Sequence, residues 1–152
     1  MTKFGNLLVA VDLDEASASY VLASAQQLAP ESSIEVVHVL ERSHFHNVGD
    51  PSAALIDDLQ GRMRREVGAY LEKLCSGNRA KSWKILEGHP ATLIQQHADA
   101  GNHDLIVLGT HGRHGIKRLL GSTANALLHG TERNVLAIRV PGKDVEVRPA
   151  DQ

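Results

Sequence analysis

Between Gly109 and Thr123 the chain reads GTHGRHGIKRLLGST, a stretch whose residue types suit the gripping of phosphate. Gly109, Gly112 and Gly121 allow backbone N–H groups to approach an anion closely, and Ser122 and Thr123 open a helix-like run whose first turn leaves N–H donors unpaired. Arg113, Lys117 and Arg118 add positive charge, although cations on such a turn are commonly just solvated. A glycine-rich loop alone is weak evidence. Its natural counterpart is Asp12, which ends the apolar run Leu7 to Val11 and has the chemistry to accept from ribose hydroxyls. Each residue also has a plainer role. Asp12 would equally cap the first helix or hold a turn, and Gly121 with Ser122 would serve as loop end and N-cap without any ligand.

Other reactive groups form less complete sets. The nine histidines include the pairs His44 with His46 and His111 with His114, yet neither pair has a carboxylate or thiolate companion at a metal-ligand spacing. No dedicated metal site is expected; Mg²⁺ accompanying phosphates would need few protein ligands. His38 and His97 sit in apolar segments and read as hydrogen-bonded structural residues. Asp12 and Asp14 raise the alternative of a phosphoacceptor receiver-like domain, but the third strand ends at Leu86, Glu87 and Gly88, without the nucleophilic aspartate such a site needs. Phosphoryl transfer requires an in-line nucleophile and a residue to orient it. No such set is evident beyond Asp12, His111 and His114, so at most slow hydrolysis of a bound phosphate ester is expected, with no catalytic residue assigned.

These groups must be placed by alternating elements. Leu7 to Val11, Ile34 to Leu40, Ser82 to Leu86, Leu105 to Leu108 and Val135 to Val140 read as strands; three of these runs are almost wholly apolar, as expected of strands covered on both faces. Helical stripes fall between them: Ala18, Val21, Leu22, Ala25, Leu28 and Ala29; then Leu55, Leu59, Met63, Val67, Tyr70, Leu71 and Leu74, closed by Gly77 and Asn78; then Pro90 to Gly101; then Thr123 to His129. The pattern predicts an α/β fold, a five-stranded mostly parallel sheet with helices on both faces. In strand order 3-2-1-4-5 the ends of the first and fourth strands are neighbours, where the winding reverses and ligands bind. Asp12 and Gly109 would then face one crevice.

Composition narrows the partners. With 152 residues, 42% of them hydrophobic, and a formal net charge of -2, the chain is expected to form one domain over residues 1–142 with a polar C-terminal tail, 143–152. Near-neutral charge and 3% aromatic residues give no footprint for nucleic acid. Cys75 is the single cysteine, so an intrachain disulfide is impossible. The N-terminal residues pass directly into a strand-like run with no long apolar segment, and the expectation is a cytoplasmic protein without a membrane partner.

VAVD at Val9 to Asp12, HVL at His38 to Leu40, DLIVLGTHG at Asp104 to Gly112, Gly121 with Ser122, and the run Val135 to Val140 together resemble the universal stress protein A family from Phe4 to Pro141. The resemblance implies the five-stranded Rossmann-like fold of adenine nucleotide alpha hydrolases and a regulatory role in stress response. The family contains nucleotide binders and non-binders, and binders carry Gly-x2-Gly, nine residues, then Gly-Ser or Gly-Thr. This chain is similar to the binders, with eight residues between Gly112 and Gly121 and with Gly115 able to absorb the difference.

Carried over residue by residue, the resemblance implies that backbone groups of Ala10, Val11 and Val39 frame adenine and that Asp12 hydrogen-bonds ribose or adenine. Leu108 and Gly109 would line the ribose, with Gly112, Arg113 and His114 over the phosphates and Gly121, Ser122 and Thr123 donating at the helix start. The implied ligand is ATP, ADP or AMP. It also implies a homodimer through the fifth strand, Asn134 to Val140, an apolar sheet edge by the strand order above. Nucleotide would act by ordering the loop and so altering the surface offered to a regulatory partner. A dimeric scaffold that is not gated by nucleotide is the alternative within the family.

Overall fold

Short runs rich in leucine and β-branched residues become strands, and the intervening amphipathic stretches become helices. A computed structural model of the chain describes residues 3–41, 53–110 and 120–141. The elements are β1 (Asn6–Ala10), α1 (Glu15–Leu28), β2 (Ser33–Leu40), α2 (Ala53–Ser76), β3 (Ser82–Glu87), α3 (Pro90–Ala100), β4 (Leu105–Gly109), α4 (Ser122–Gly130) and β5 (Asn134–Ile138). The strands form one parallel sheet in the order β3-β2-β1-β4-β5. The chain therefore winds outward from β1 to β3, crosses back to β4 and finishes at β5. The reversal falls between β1 and β4, paired through Leu7 to Leu105, Leu8 to Ile106 and Val9 to Val107.

Alternation along the central strands feeds two cores. Leu7, Val9, Val36 and Val107 pack against Ala18, Val21 and Leu22 of α1 and Val67 and Leu71 of α2. On the opposite face, Leu8, Val37, Ile106 and Leu108 meet Ile94 and Ala98 of α3 and Ala124 and Leu127 of α4. Both faces of β1 and β4 are thus dry, which is why these strands read as unbroken apolar runs.

Two expectations from the sequence need correction. Of the long helical stripe, Leu55, Leu59 and Met63 are more than half exposed, and burial begins at Val67. The reason is length: 24 residues of helix span about 36 Å, whereas the longest strand, of 8 residues, spans about 26 Å, so the first turns of α2 extend beyond the sheet. The fifth strand ends at Ile138, and Val140 is buried in the core with α1 instead of lying on the sheet edge.

The end of the sheet away from the strand tips is tied by polar contacts. Both oxygens of Asp104 accept from the backbone N–H groups of Gly5 and Asn6 at 2.8 and 3.1 Å. Glu35 of β2 joins two imidazoles, His97 Nε2 at 2.8 Å and His103 Nε2 at 3.1 Å. Arg133 donates to the His103 carbonyl at 2.8 Å and to Asp99 at 2.8 Å, fastening the start of β5. The tips above are left for other work.

Candidate functional site

A cavity of about 280 Å³ opens over the carboxyl ends of β1, β2 and β4. Ala10, Val11 and Asp12 supply it from the end of β1, Val39 from β2, and Leu108 and Gly109 from β4. Gly121, Ser122 and Thr123 close it from the start of α4. The fold thus brings nine of the residues singled out from the sequence to one crevice. Gly112, Arg113 and His114 lie outside the described residues, as do His44, His46, His111, Gly115, Lys117 and Arg118.

Each wall has a local cause. β1 ends at Ala10, but Val11 N–H still donates to Val37 O at 2.9 Å, and beyond it the chain leaves the sheet. His38 Nδ1 meets the Val11 carbonyl at 2.7 Å, and the Tyr70 hydroxyl of α2 donates to the Asp12 carbonyl at 3.2 Å. Asp12 Oδ1 accepts from Asp14 N–H at 3.1 Å, the turn-holding role weighed from the sequence. Asp14 is the N-cap of α1; its carboxylate accepts from the Ser17 hydroxyl at 2.8 Å.

On the other side, Thr110 N–H continues the β4–β5 ladder to Ile138 O at 2.9 Å, and Thr110 O accepts from Gly121 N–H. Thr110 and Gly121 are therefore fastened together, which joins the end of β4 to the start of α4. The N-cap of α4 is Gly121, not Ser122, and it offers no side chain; the first intrahelical bond is Asn125 N–H to Gly121 O at 2.9 Å. The N–H groups of Ser122, Thr123 and Ala124 are ones the helix itself cannot satisfy, at its positive end.

The cavity walls between these polar ends are apolar: Val37 and Val39, Ile94 of α3, Leu108 and Ala124. An apolar slot with few polar groups, placed at its two ends, suits a flat ring carrying a polar appendage. Asp12 and Glu41 put carboxylates at the β1–β2 side. Burial, followed by the charges of Asp12, Glu15 and Asp14, pushes the Tyr70 phenol up to about 12. That hydroxyl stays protonated and acts as a donor. Burial, with Glu72 second, likewise pushes the Cys75 thiol up to about 11, as befits a packing residue.

Ser17, Ala18, Val21, His38, Pro90, Ile94 and Val140 also line the cavity, and sequence reading did not assign them to it. Their local signal was helix or strand packing; only the meeting of four elements gives them a second surface. His38 and His97 are both hydrogen-bonded as expected, but His38 in addition faces the cavity. No group of three or more His, Cys, Asp or Glu that could hold a metal occurs among the described residues, and no described helix is long and apolar enough to cross a membrane.

The receiver-like alternative meets a topological obstacle. Such domains run in the order 2-1-3-4-5, which seats the third strand beside the first. Here β3 is an edge strand, separated from β1 by β2, and its terminal Glu87 is ion-paired with Arg64 of α2. No third-strand acid stands next to Asp12.

Residues 3–139 match the model of the universal stress protein family. The chain is 33% identical over 146 residues to Universal stress protein A homolog 2 of Coxiella burnetii, covering 93% of this chain and 99% of that relative. Among solved structures, the hypothetical protein MJ0577 superposes with a TM-score of 0.78 at 19% identity, covering 91% of this chain and 97% of that one. A universal stress protein in complex with cAMP superposes with a TM-score of 0.57 at 20% identity, covering 91% and 99%. With its sheet order, its crevice and these similarities taken together, the chain belongs to the universal stress protein family.

Proposed function

We propose that the protein binds an adenine nucleotide, AMP, ADP or ATP, in the crevice between β1 and β4 and serves as a cytoplasmic regulatory protein in stress response. The observation that carries this reading is the pairing, across one mostly apolar slot, of Asp12 with the open N-terminus of α4. Adenine would lie between Val39 and the backbone of Ala10 and Val11, and the ribose would meet Asp12, Leu108 and Gly109. The phosphates would point to Gly121, Ser122 and Thr123, with Gly112, Arg113 and His114 of the loop above them and Mg²⁺ as a companion. The volume of about 280 Å³ lies near the lower bound for small-molecule sites. That favours a base and sugar held within it and phosphates reaching outward. The cAMP complex of a protein with this fold supports an adenine ligand.

The proposal extends to a single domain over residues 1–142 and to a homodimer formed through the β5 edge. Hydrolysis, if present, would be incidental; multiple turnover in the ordinary enzyme range of about 1–10³ s⁻¹ would overturn a binding role. The direct test is mass spectrometry of small molecules released from the purified protein, followed by calorimetric titration with AMP, ADP and ATP. One nucleotide per chain is expected. A protein that releases no adenine nucleotide and gives no heat with any of the three refutes the proposal.

A further inference from the structure

Asp12 lies two residues beyond the end of β1, so the sheet itself does not fix it. Two side chains from different elements do so instead, by holding successive carbonyls. His38 of β2 takes that of Val11 at 2.7 Å and Tyr70 of α2 takes that of Asp12 at 3.2 Å. His38 lines the cavity, whereas Tyr70 does not. The Tyr70 hydroxyl therefore has its only described hydrogen-bond partner in the strand tip and none in the ligand space. Fixing the Asp12 carbonyl fixes the plane of the Asp12–Leu13 peptide. The next peptide along carries the Asp14 N–H, which donates to Asp12 Oδ1 at 3.1 Å and closes the turn on the carboxylate.

We infer that Tyr70 is a positioning residue for Asp12: its hydroxyl sets the peptide whose orientation aims the Asp12 carboxylate at the ribose hydroxyls. This inference rests on the adenine-nucleotide reading above and adds to it a route by which α2 bears on sugar recognition. A misaimed carboxylate loses the ribose contact and leaves the others alone, because the phosphates meet α4 and the base meets Val39 and the backbone of Ala10 and Val11, which the sheet holds through Val11 N–H to Val37 O. The effect is thus confined to discrimination between ribose and 2′-deoxyribose.

The test compares ATP with 2′-deoxy-ATP by calorimetry on the wild-type protein, Tyr70→Phe, Asp12→Ala and Tyr20→Phe. Tyr20 is an exposed tyrosine of α1 and controls for loss of a phenol hydroxyl as such. Wild type is expected to prefer ATP, and Tyr70→Phe to reduce that preference about threefold to tenfold, the value of one hydrogen bond. Affinity for 2′-deoxy-ATP should stay within about twofold of wild type, since no contact to it depends on the hydroxyl. Asp12→Ala should abolish the preference and Tyr20→Phe should leave it intact. Thermal unfolding of Tyr70→Phe reports whether the fold survives.

An unchanged preference in Tyr70→Phe overturns the inference, and so does an equal weakening of both ligands, which marks a merely structural role. A wild type that binds both nucleotides equally refutes the ribose contact of Asp12 and the inference with it, while adenine binding stands. A wild type that binds neither refutes the adenine reading itself.

Discussion

Filling the cavity from its floor separates binding from folding. Ala10 is half-buried at the tip of β1 and lines the cavity from the α3 and α4 side, beside Val39 and Leu108. Ala10→Leu adds three carbons, which enter empty space instead of displacing neighbours. Full burial would contribute about 0.8 kcal/mol each, or about 2.4 kcal/mol. The rotamer entropy of leucine removes about 0.5–1 kcal/mol of that, and burial at this position is incomplete. Stability measured by urea unfolding is therefore expected between no change and a gain of about 1.5 kcal/mol. The ligand meets those same carbons as overpacking, at about 1–3 kcal/mol, so calorimetry should show AMP, ADP and ATP weakened about fivefold to a hundredfold. A variant that binds nucleotide as tightly as wild type would show that the ligand does not use this slot. A variant losing more than about 1.5 kcal/mol of stability would show that the space at Ala10 is not open to a side chain.

Three further perturbations address the scaffold, the phenol and the sheet edge. At Gly101 a Cβ would stand 2.4 Å from Cε1 and 2.7 Å from Nδ1 of His103, which is 2% exposed. Gly101→Ala must therefore push the ring off Glu35 and should cost about 2–4 kcal/mol in urea unfolding; a loss below about 0.5 kcal/mol contradicts the packing. Because the Tyr70 phenol is pushed up to about 12, the folded state holds that proton more tightly than the unfolded chain. Its contribution is whole below pH 10 and is lost as pH climbs toward 12. Phenolate absorbance of folded Tyr20→Phe should accordingly rise late, and a midpoint at the ordinary value of 10 would refute the burial argument. At the edge, Ile138 O faces β4, where it accepts from Thr110 N–H, so alternation turns the Ala137 N–H outward. Ala137→Pro should spare the sheet and halve the mass seen by light scattering; an unchanged dimer mass would remove β5 as the interface.

The fold was legible because the physics behind it is periodic. VAV at Val9 to Val11 and LIVL at Leu105 to Leu108 are apolar at every position, which only a strand covered on both faces tolerates, and alternation with helical stripes then demands parallel crossovers. The stripe of α2 misled at Leu55, Leu59 and Met63, since periodicity reports which face of a helix is apolar and not how far its partner extends. Val140 misled for a related reason. An apolar residue after a strand reads as more strand, whereas here the chain turns and Val140 enters the core under α1.

The site was legible only in part, and the division follows chain distance. Asp12, Gly109 and Gly121 stand out because each sits where a strand or helix begins or ends, and the order 3-2-1-4-5 alone brings them together. His38, Ser17, Pro90 and Ile94 carry no such mark; each does ordinary work within its own element and acquires a second role only because three other elements end beside it. The same holds for Tyr70, which the helical stripe assigns to the core and which the fold also brings to the Asp12 carbonyl. A crevice made at a reversal of winding recruits whatever residues the flanking helices present there. Its chemistry is thus set by a few residues at element ends and its shape by many in their interiors. Substitutions at the ends should change which ligand is held, and substitutions in the interiors should change how well any ligand fits.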